Sequence, residues 1–314
     1  NADWGVVVIS DVSTGRILVL ADSGSTTPNP SKPQSVMGVQ APYEPGSVGK
    51  LLTVASALEK GTTTPTSQYS VPYSINPPDA GGPIKDYHEH GTETLTSTGI
   101  VAESSNVGTI EIGEQVGDRD RYDFMTKMGL NQLTGIELAG ESQGIMRDFD
   151  AIQGRDRYTM MFGQSYAITA IQQNQFIQAI GNRGVMIAPR IIDSTTDSKG
   201  RTEKTVAPQP KQVMSADRSK ELITMMESVV MDKQGTGQLA KVEGYRVAVK
   251  TGTADIKVNG ADAVVSNTAG LVPAESPRLA ISVVLYNPRV AGLSSDAAAP
   301  LWSEVTTEAV RNLG

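Results

Sequence analysis

The 314-residue sequence has no cysteine, no dense run of Lys and Arg, and no apolar stretch as long as a membrane span. Because cysteine is absent, the chain can form no disulfide or thiolate metal site, and Ser, Thr or Lys must carry any covalent chemistry. The formal net charge of −7 and the pI near 5.0 disfavour a nucleic-acid partner, which binds clustered basic side chains. The hydrophobic content of 39% is nevertheless enough for the core of a globular protein.

The most informative feature is a Ser-x-x-Lys pair, Ser47 and Lys50, which a Pro-Gly dipeptide precedes and an apolar run over 51–61 follows. The dipeptide disfavours a helix before Ser47 and Gly61 is placed to end one, so the pattern predicts a helix that begins at or beside Ser47. Residues three apart share a helix face, with Cβ atoms about 5–6 Å apart, so the Lys50 amine is expected to reach the Ser47 hydroxyl. This pair has the chemistry of a nucleophile and its base. The alternative is that Ser47 only caps the helix and Lys50 is solvated.

Two other kinds of ligand site have weaker support. Residues 46–50 are superficially like a phosphate-binding loop, but that motif requires Gly and Ser or Thr where this chain has Glu44 and Leu51. His88 and His90 alternate on an extended segment, but the sequence shows no third metal ligand beside them. We therefore favour a polar loop near the functional cleft over a metal site.

Strand patterns lie at both ends of the chain, and helical patterns lie between them. The predicted strands cover 5–10, 16–21, 245–250, 266–272 and 279–286. One predicted helix begins near residue 95, and the others cover 107–116, 121–128, 166–180, 215–230 and 300–313. We expect one sheet built from both termini, in a sheet lobe of residues 1–45 and 215–314, and an inserted helical lobe of residues 46–214 with a cleft between them. The methionines near the helix over 215–230 are predicted to fill the core; they are Met214, Met225, Met226 and Met231.

A second motif, Lys250-Thr251-Gly252-Thr253, lies at the end of a predicted strand. A Gly within a strand often marks a place where a ligand can approach the backbone. The lysine supplies a positive charge, the threonines supply hydroxyl groups, and an exposed strand edge offers backbone groups to an extended peptide. The motif is therefore typical of a site that binds a peptide carboxylate, although a hairpin with a bulge at Gly252 is the alternative.

A third motif, Ser104-Ser105-Asn106, precedes a predicted helix and in isolation would be explained as a helix cap. Its position between Ser47-x-x-Lys50 and Lys250-Thr251-Gly252 changes that interpretation. Three such motifs in this order, each in its expected local context, are improbable by chance.

On these motifs the sequence resembles the penicillin-binding proteins, the penicilloyl serine transferases. The run Glu44-Pro45-Gly46-Ser47 is similar to their class B group, which are D,D-transpeptidases of peptidoglycan synthesis. Further similar stretches lie at 104–108, 163–165, 235–237 and 269–274. The resemblance implies an α+β fold, in which an antiparallel sheet is flanked by helices and an all-helical lobe is inserted. The chain departs from the family at Val48-Gly49, where a bulkier pair is usual, and at Val249, where Gly is common.

The resemblance also implies a set of site residues. The implied catalytic residues are Ser47, Lys50, Ser104, Asn106 and Lys250, and the implied substrate-binding residues are Thr251, Gly252 and Thr253. Lys50 would take the proton of Ser47, which attacks the D-Ala-D-Ala carbonyl while backbone N–H groups of Ser47 and Thr253 hold the oxyanion. Ser104 would pass a proton to the leaving D-Ala. Asn106 would bind a substrate amide, and Lys250 with the two threonines would orient the terminal carboxylate.

The partners implied by the resemblance are peptidoglycan stem peptides and β-lactam antibiotics, and no metal or organic cofactor is required. Family members usually begin with a membrane anchor and a non-catalytic domain, so we expect this chain to be the catalytic part of a longer protein. It would act on the outer face of the bacterial cytoplasmic membrane, and divisome or elongation proteins would bind through regions before Asn1. Two alternatives stay open: a serine β-lactamase, and a sensor domain that is acylated by β-lactams without turnover.

Overall fold

The structure, a computed structural model, describes residues 2–23, 36–289 and 295–313. Its central element is a five-stranded antiparallel sheet built from both ends of the chain, as predicted. The strands are β1 (Trp4–Asp11), β2 (Ile17–Asp22), β3 (Ala248–Val258), β4 (Ala261–Val272) and β5 (Leu279–Tyr286). Across the sheet they follow the order β3-β4-β5-β1-β2, so β3 is an edge strand.

Strands β3 and β4 are longer than predicted because they form one continuous hairpin. Its turn contains Asn259 and Gly260, both with positive φ, and Asn-Gly is the most favoured dipeptide for a two-residue hairpin turn. The Asn259-Gly260 dipeptide is therefore the local sequence signal for this hairpin. The register between the strands is unbroken and places Gly252 opposite Asn267, so the predicted alternative of a bulge at Gly252 is wrong.

Nine α-helices occur in the described ranges. They are α1 (Met37–Gln40), α2 (Lys50–Lys60), α3 (Ser97–Glu103), α4 (Asn106–Glu114), α5 (Asp118–Lys127), α6 (Arg155–Thr159), α7 (Ala170–Gly181), α8 (Ala216–Met231) and α9 (Ser295–Asn312). Single 3₁₀ turns cover Gly46–Gly49, Phe149–Ala151, Met160–Phe162 and Gln238–Ala240. Within those ranges no helix combines the length and the apolar character that crossing a bilayer requires.

Two helices begin four or more residues away from their predicted starts. Helix α7 starts later, at Ala170, because Thr169 and Gln172 form a capping box that fixes its first turn. Helix α9 starts earlier and includes Pro300, which was predicted to be its first residue. The buried Trp302 of α9 packs on the sheet and donates its indole N–H to Ile281 O at 3.0 Å, and this packing outweighs the hydrogen bond that proline cannot make.

The part of the chain between the sheet segments is mainly but not entirely helical. Four short strand pairs lie within it, so the all-helical lobe implied by the resemblance is an oversimplification. The pairs are Gln68–Val71 with Glu93–Thr96, Ser74–Ile75 with Ile84–Lys85, Val185–Met186 with Lys211–Gln212, and Ser194–Thr196 with Thr202–Lys204. The boundaries of the two lobes stay a prediction.

The core extends from the sheet into the helices. Three of the four methionines near α8 are buried as predicted, but Met231 is 74% exposed because it is the last residue of the helix and lies beyond its packed face. Helix α7 packs directly on the sheet, and all its twelve residues are buried. Its Asn174 donates to Val8 O and Ala280 O at 3.3 and 2.9 Å and accepts from Ser10 Oγ at 2.6 Å, and so joins the helix to two strands.

Asn174→Ala is expected to lower the free energy of unfolding by about 2–4 kcal/mol, because buried polar groups lose their partner. Urea denaturation measures the change. Thr224→Ala, on the exposed face of α8, is the control, with an expected change below about 0.5 kcal/mol. An unchanged midpoint for Asn174→Ala would contradict the role given to this side chain.

Candidate active site

Ser47 lies in the 3₁₀ turn Gly46–Gly49, which leads directly into α2. The turn is packed between two backbone segments. A Cβ at Gly46, where φ is +51°, would lie 2.1 Å from Thr253 O on strand β3, and a Cβ at Gly163 would lie 1.7 Å from Gly46 O. Both positions therefore require glycine, and the close contacts fix the turn that carries Ser47.

Ser47 does not act as the predicted helix cap. The N-cap of α2 is Gly49, and no hydrogen bond of the Ser47 side chain occurs within the described parts of the chain. The residue is half-buried and lines a cleft. Its hydroxyl is therefore placed to meet a ligand.

The Lys50 side chain is buried, so the alternative of a solvated lysine is wrong. Its Nζ donates to the carbonyl oxygen of Ser104 and, at 3.2 Å, to Ser104 Oγ, whereas no hydrogen bond joins it to Ser47 among the described residues. Burial lowers the pKa of Lys50 to about 7, although the negative charge of Asp86 opposes the shift. Lys50 can therefore lose its proton near neutral pH, as a base must.

Ser104 connects two lysines from distant parts of the chain. It follows α3 with a left-handed φ of +63°, and its Oγ accepts from Lys250 Nζ at 2.9 Å as well as from Lys50. Lys250 is fully buried, and its pKa lies well below the ordinary value because of burial and because of the charge of Lys50. Two buried amines on one hydroxyl disfavour a charge on both, so their protonation is coupled.

The motif over 250–253 lies on the edge strand β3. Lys250 Nζ also donates to Thr251 O at 3.1 Å, and Thr251 Oγ1 donates to Thr236 Oγ1 at 2.9 Å. A Cβ at Gly252 would lie 2.5 Å from Pro45 O. On that side of the strand the group that approaches Gly252 is thus the backbone before Ser47 and not a ligand, which sequence reasoning did not anticipate.

The third motif divides into separate roles. Ser105 is the N-cap of α4 and accepts from Gly108 N at 2.8 Å, so the capping explanation holds for this residue. Asn106 lines the cleft and donates through Nδ2 to Lys85 O at 2.9 Å. The carboxylate of Asp86 accepts from Asn106 N at 2.5 Å. Asp86 was missed because it lies in a proline-rich polar stretch, where no local pattern ties it to a helix that begins 20 residues later.

The cleft has a volume of about 480 Å³. Six of the eight predicted site residues line it: Ser47, Ser104, Asn106, Thr251, Gly252 and Thr253. Lys50 and Lys250 lie behind Ser104 and do not reach it. His88 lines the cleft, as expected for a polar loop, and His90 pairs with Asp86; no cluster of three metal-ligating side chains occurs in the described ranges.

The two departures from the family pattern have packing explanations. Val48 is fully buried, and a Cβ at Gly49 would lie 2.3 Å from Tyr166 Oη and 2.6 Å from Gly163 Cα. Glycine at 49 therefore makes room for a tyrosine that the sequence does not link to it. A Cβ at Gly270 would lie 2.8 Å from Val249 Cγ1. Because Gly270 has no side chain, the side chain of Val249 fits at this position.

Gly49→Ala is expected to lower the free energy of unfolding by about 1–3 kcal/mol, because the new methyl group overlaps Tyr166 and the backbone at 163. Tyr166 Oη is buried without a partner among the described residues, so Tyr166→Phe should be neutral or stabilising and should relieve part of the defect in the double variant. Denaturation of the wild type, the two single variants and the double variant measures the coupling. Wild-type stability of Gly49→Ala would contradict the proposed overlap.

Sequence comparisons identify relatives across nearly the whole chain. Residues 5–307 match the family described as the penicillin binding protein transpeptidase domain. Penicillin-binding protein PbpB of Mycolicibacterium smegmatis is 35% identical over 96% of this chain and 49% of that protein. The peptidoglycan D,D-transpeptidase FtsI of Escherichia coli is 30% identical over 100% of this chain and 52% of that protein. The chain therefore spans about half the length of the curated relatives it matches.

Solved structures agree with this result. The crystal structure of penicillin-binding protein 3 from Mycobacterium tuberculosis in complex with aztreonam superposes with a TM-score of 0.91 at 34% identity, over 99% of this chain and 73% of that chain. The complex of the same protein with ampicillin gives a TM-score of 0.91 at 33% identity, with the same coverage. On the family match, the relatives and the fold, this chain belongs to the penicillin-binding protein transpeptidase domain family.

Proposed function

We propose that this chain is a peptidoglycan D,D-transpeptidase domain that is acylated at Ser47 by D-Ala-D-Ala stem peptides and by β-lactams. The observation that carries the proposal is the Ser104 hydroxyl, which accepts hydrogen bonds from both Lys50 and Lys250 in the wall of the cleft that Ser47 lines. Three motifs from distant parts of the sequence thereby form one acyl-transfer site. The β-lactam complexes of the structural relatives support the same assignment.

Lys50 is the base in the first step. A neutral amine has two N–H groups and one lone pair. In Lys50 the two N–H groups donate to the carbonyl oxygen and the Oγ of Ser104. The lone pair is then available for the proton of Ser47 as its oxygen attacks the carbonyl carbon. The backbone N–H groups of Ser47 and Thr253 would bind the oxyanion, an assignment supported by the packing of Gly46 on the backbone of Thr253.

Ser104 would deliver a proton to the leaving group. Its oxygen accepts from both lysines, so its own O–H is left to donate to the nitrogen of the departing D-Ala. Lys50, protonated in the first step, returns a proton to Ser104 through the same hydrogen bond. The amide bond of D-Ala-D-Ala breaks, and the acyl group stays on Ser47 as an ester.

The remaining residues would orient the substrate. A terminal carboxylate beside Thr251 and Thr253 would attract a proton to Lys250, and the coupling between the lysines would then keep Lys50 neutral. Because Asn106 Nδ2 is bonded to Lys85 O, its Oδ1 is the atom that would accept a substrate N–H. An acceptor amine of a second stem peptide would then attack the ester, form the cross-link and release Ser47. Because peptidoglycan lies outside the cytoplasmic membrane, the proposed reaction would take place there.

Ser47→Ala is expected to abolish the covalent adduct that penicillin forms with this protein, because the attacking oxygen is lost. Intact-mass spectrometry measures the adduct. Ser198→Ala, an exposed serine in the turn of the short hairpin at 194–204, should be acylated like the wild type. An adduct on Ser47→Ala would contradict the proposed nucleophile.

The lifetime of the adduct distinguishes the related functions. A transpeptidase keeps the penicilloyl group for much longer than one catalytic cycle, and it releases D-Ala from a donor stem peptide. Rapid loss of the adduct would indicate a β-lactamase. A stable adduct without D-Ala release would indicate a sensor.

The acylation rate is expected to rise with pH across neutrality. Lys50 acts as a base only when neutral, and its pKa of about 7 means that the neutral fraction grows as pH increases through that value. Stopped-flow acylation with a chromogenic β-lactam measures the profile. Lys50→Arg stays charged, so its acylation rate should be lower by at least about 100-fold and should no longer depend on pH across neutrality. A flat wild-type profile across neutrality would exclude Lys50 as the base.

A further inference from the structure

The side chain of Asp86 is only 8% exposed although it lies in a surface loop, directly after the short strand Ile84–Lys85. Its Oδ1 accepts from Asn106 N at 2.5 Å and from Val107 N at 3.0 Å. Its Oδ2 accepts from Ser105 Oγ at 2.7 Å and lies 3.2 Å from His90 Nε2. One carboxylate thus contacts the first two backbone N–H groups of α4 and its N-cap side chain.

These contacts determine where the third motif lies. The first N–H groups of a helix have no partner within the helix, and a carboxylate at this end also interacts favourably with the helix dipole. The neighbouring carbonyl of Lys85 accepts from Asn106 Nδ2 at 2.9 Å, so two consecutive residues hold Asn106. Ser104 precedes this held segment directly and has a left-handed backbone that serine seldom adopts without support. The position of the Ser104 hydroxyl therefore depends on the hydrogen bonds between Asp86 and the N-terminus of α4.

Asp86 also acts on the site through its charge. Its negative charge stabilises the protonated form of Lys50, which lies across Ser104 from Lys250. Asp86 also interacts with two other ionisable groups, His90 and Glu103. His90 Nδ1 in turn lies 3.8 Å from Glu93 Oε2. Burial alone would lower the pKa of His90, but its hydrogen bonds to Gly91 O and Asp86 raise the pKa above the ordinary value.

We propose that Asp86 is a positioning residue for acyl transfer: its carboxylate holds the N-terminus of α4, and so places Ser104 against the two buried lysines and Asn106 in the wall of the cleft, while its negative charge acts on Lys50. This role rests on the proposed function. The His90 imidazole forms a further hydrogen bond with the Asp86 carboxylate. Neither residue touches the reacting atoms.

Asp86→Asn separates this role from a purely structural one. The amide oxygen can still accept from Asn106 N and Val107 N, but the negative charge is lost, so the protonated form of Lys50 is less stable. The rise of the acylation rate with pH should therefore move to lower pH by roughly half a unit or more. The maximal rate should fall several-fold, because the second oxygen becomes an N–H₂ group facing the Ser105 hydroxyl.

His90→Gln should act in the opposite direction. Without the imidazole, the Asp86 carboxylate loses the hydrogen-bond partner, among the described residues, that can carry positive charge, and it stabilises protonated Lys50 more strongly. The rise of the acylation rate should then move to higher pH. This variant keeps the test decisive if Asp86→Asn fails to fold, which circular dichroism would reveal.

The experiment measures acylation of this chain by a chromogenic β-lactam over a pH series, for the wild type, Asp86→Asn, His90→Gln and Glu89→Gln. Glu89 is exposed in the same loop, has no hydrogen bond in the described structure, and carries the same charge as Asp86, so Glu89→Gln should keep the wild-type profile. Opposite shifts for Asp86→Asn and His90→Gln, with no shift for the control, support the proposal. A lower rate with an unmoved profile, or an equal shift in the control, overturns it. A wild type that is not acylated at all would instead refute the proposed function.

Discussion

Two buried lysine amines share one serine hydroxyl, and the rest of the site depends on this contact. Burial disfavours the ammonium form of each, and the closeness of Lys50 and Lys250 disfavours a charge on both. The contact requires α2, the turn between α3 and α4, and strand β3 to meet at Ser104. A fold that joins a sheet to a helical segment at their common boundary satisfies this requirement.

Close backbone contacts, together with one side-chain contact from Glu44, set the position of Ser47, the proposed nucleophile. The turn of Ser47 lies so close to Gly163 and Thr253 that a single methyl group would not fit. Glu44, just before the turn, accepts from Ser165 N at 2.9 Å and so ties the same two segments together a second time. Rigid support of this kind allows Ser47 to be half-exposed in the cleft while its backbone N–H keeps a constant direction, as the proposed oxyanion site requires.

The sequence predicted those parts of the structure that local chemistry determines. The first hairpin, the helix after Ser47 and its end at Gly61 follow from periodicity, proline and glycine, and all are present. The three motifs were recognisable because each has a local pattern. The roles of Gly49 and Asp86 were not predictable, because each depends on one partner far away in the chain and a single sequence contains no record of such a pairing.

Helix α2 shows how the fold tolerates a destabilising site. A buried lysine contributes unfavourably to stability whether it is charged and desolvated or neutral and far below its ordinary pKa. The same helix buries Leu51, Leu52 and Leu58 completely, and each fully buried leucine contributes roughly 1.5–3 kcal/mol through the hydrophobic effect. The residues that follow Lys50 thus offset the unfavourable burial that lowers its pKa. One helix thereby combines both properties: its first residue, Lys50, is the proposed base, and the leucines that follow it hold the helix in the core.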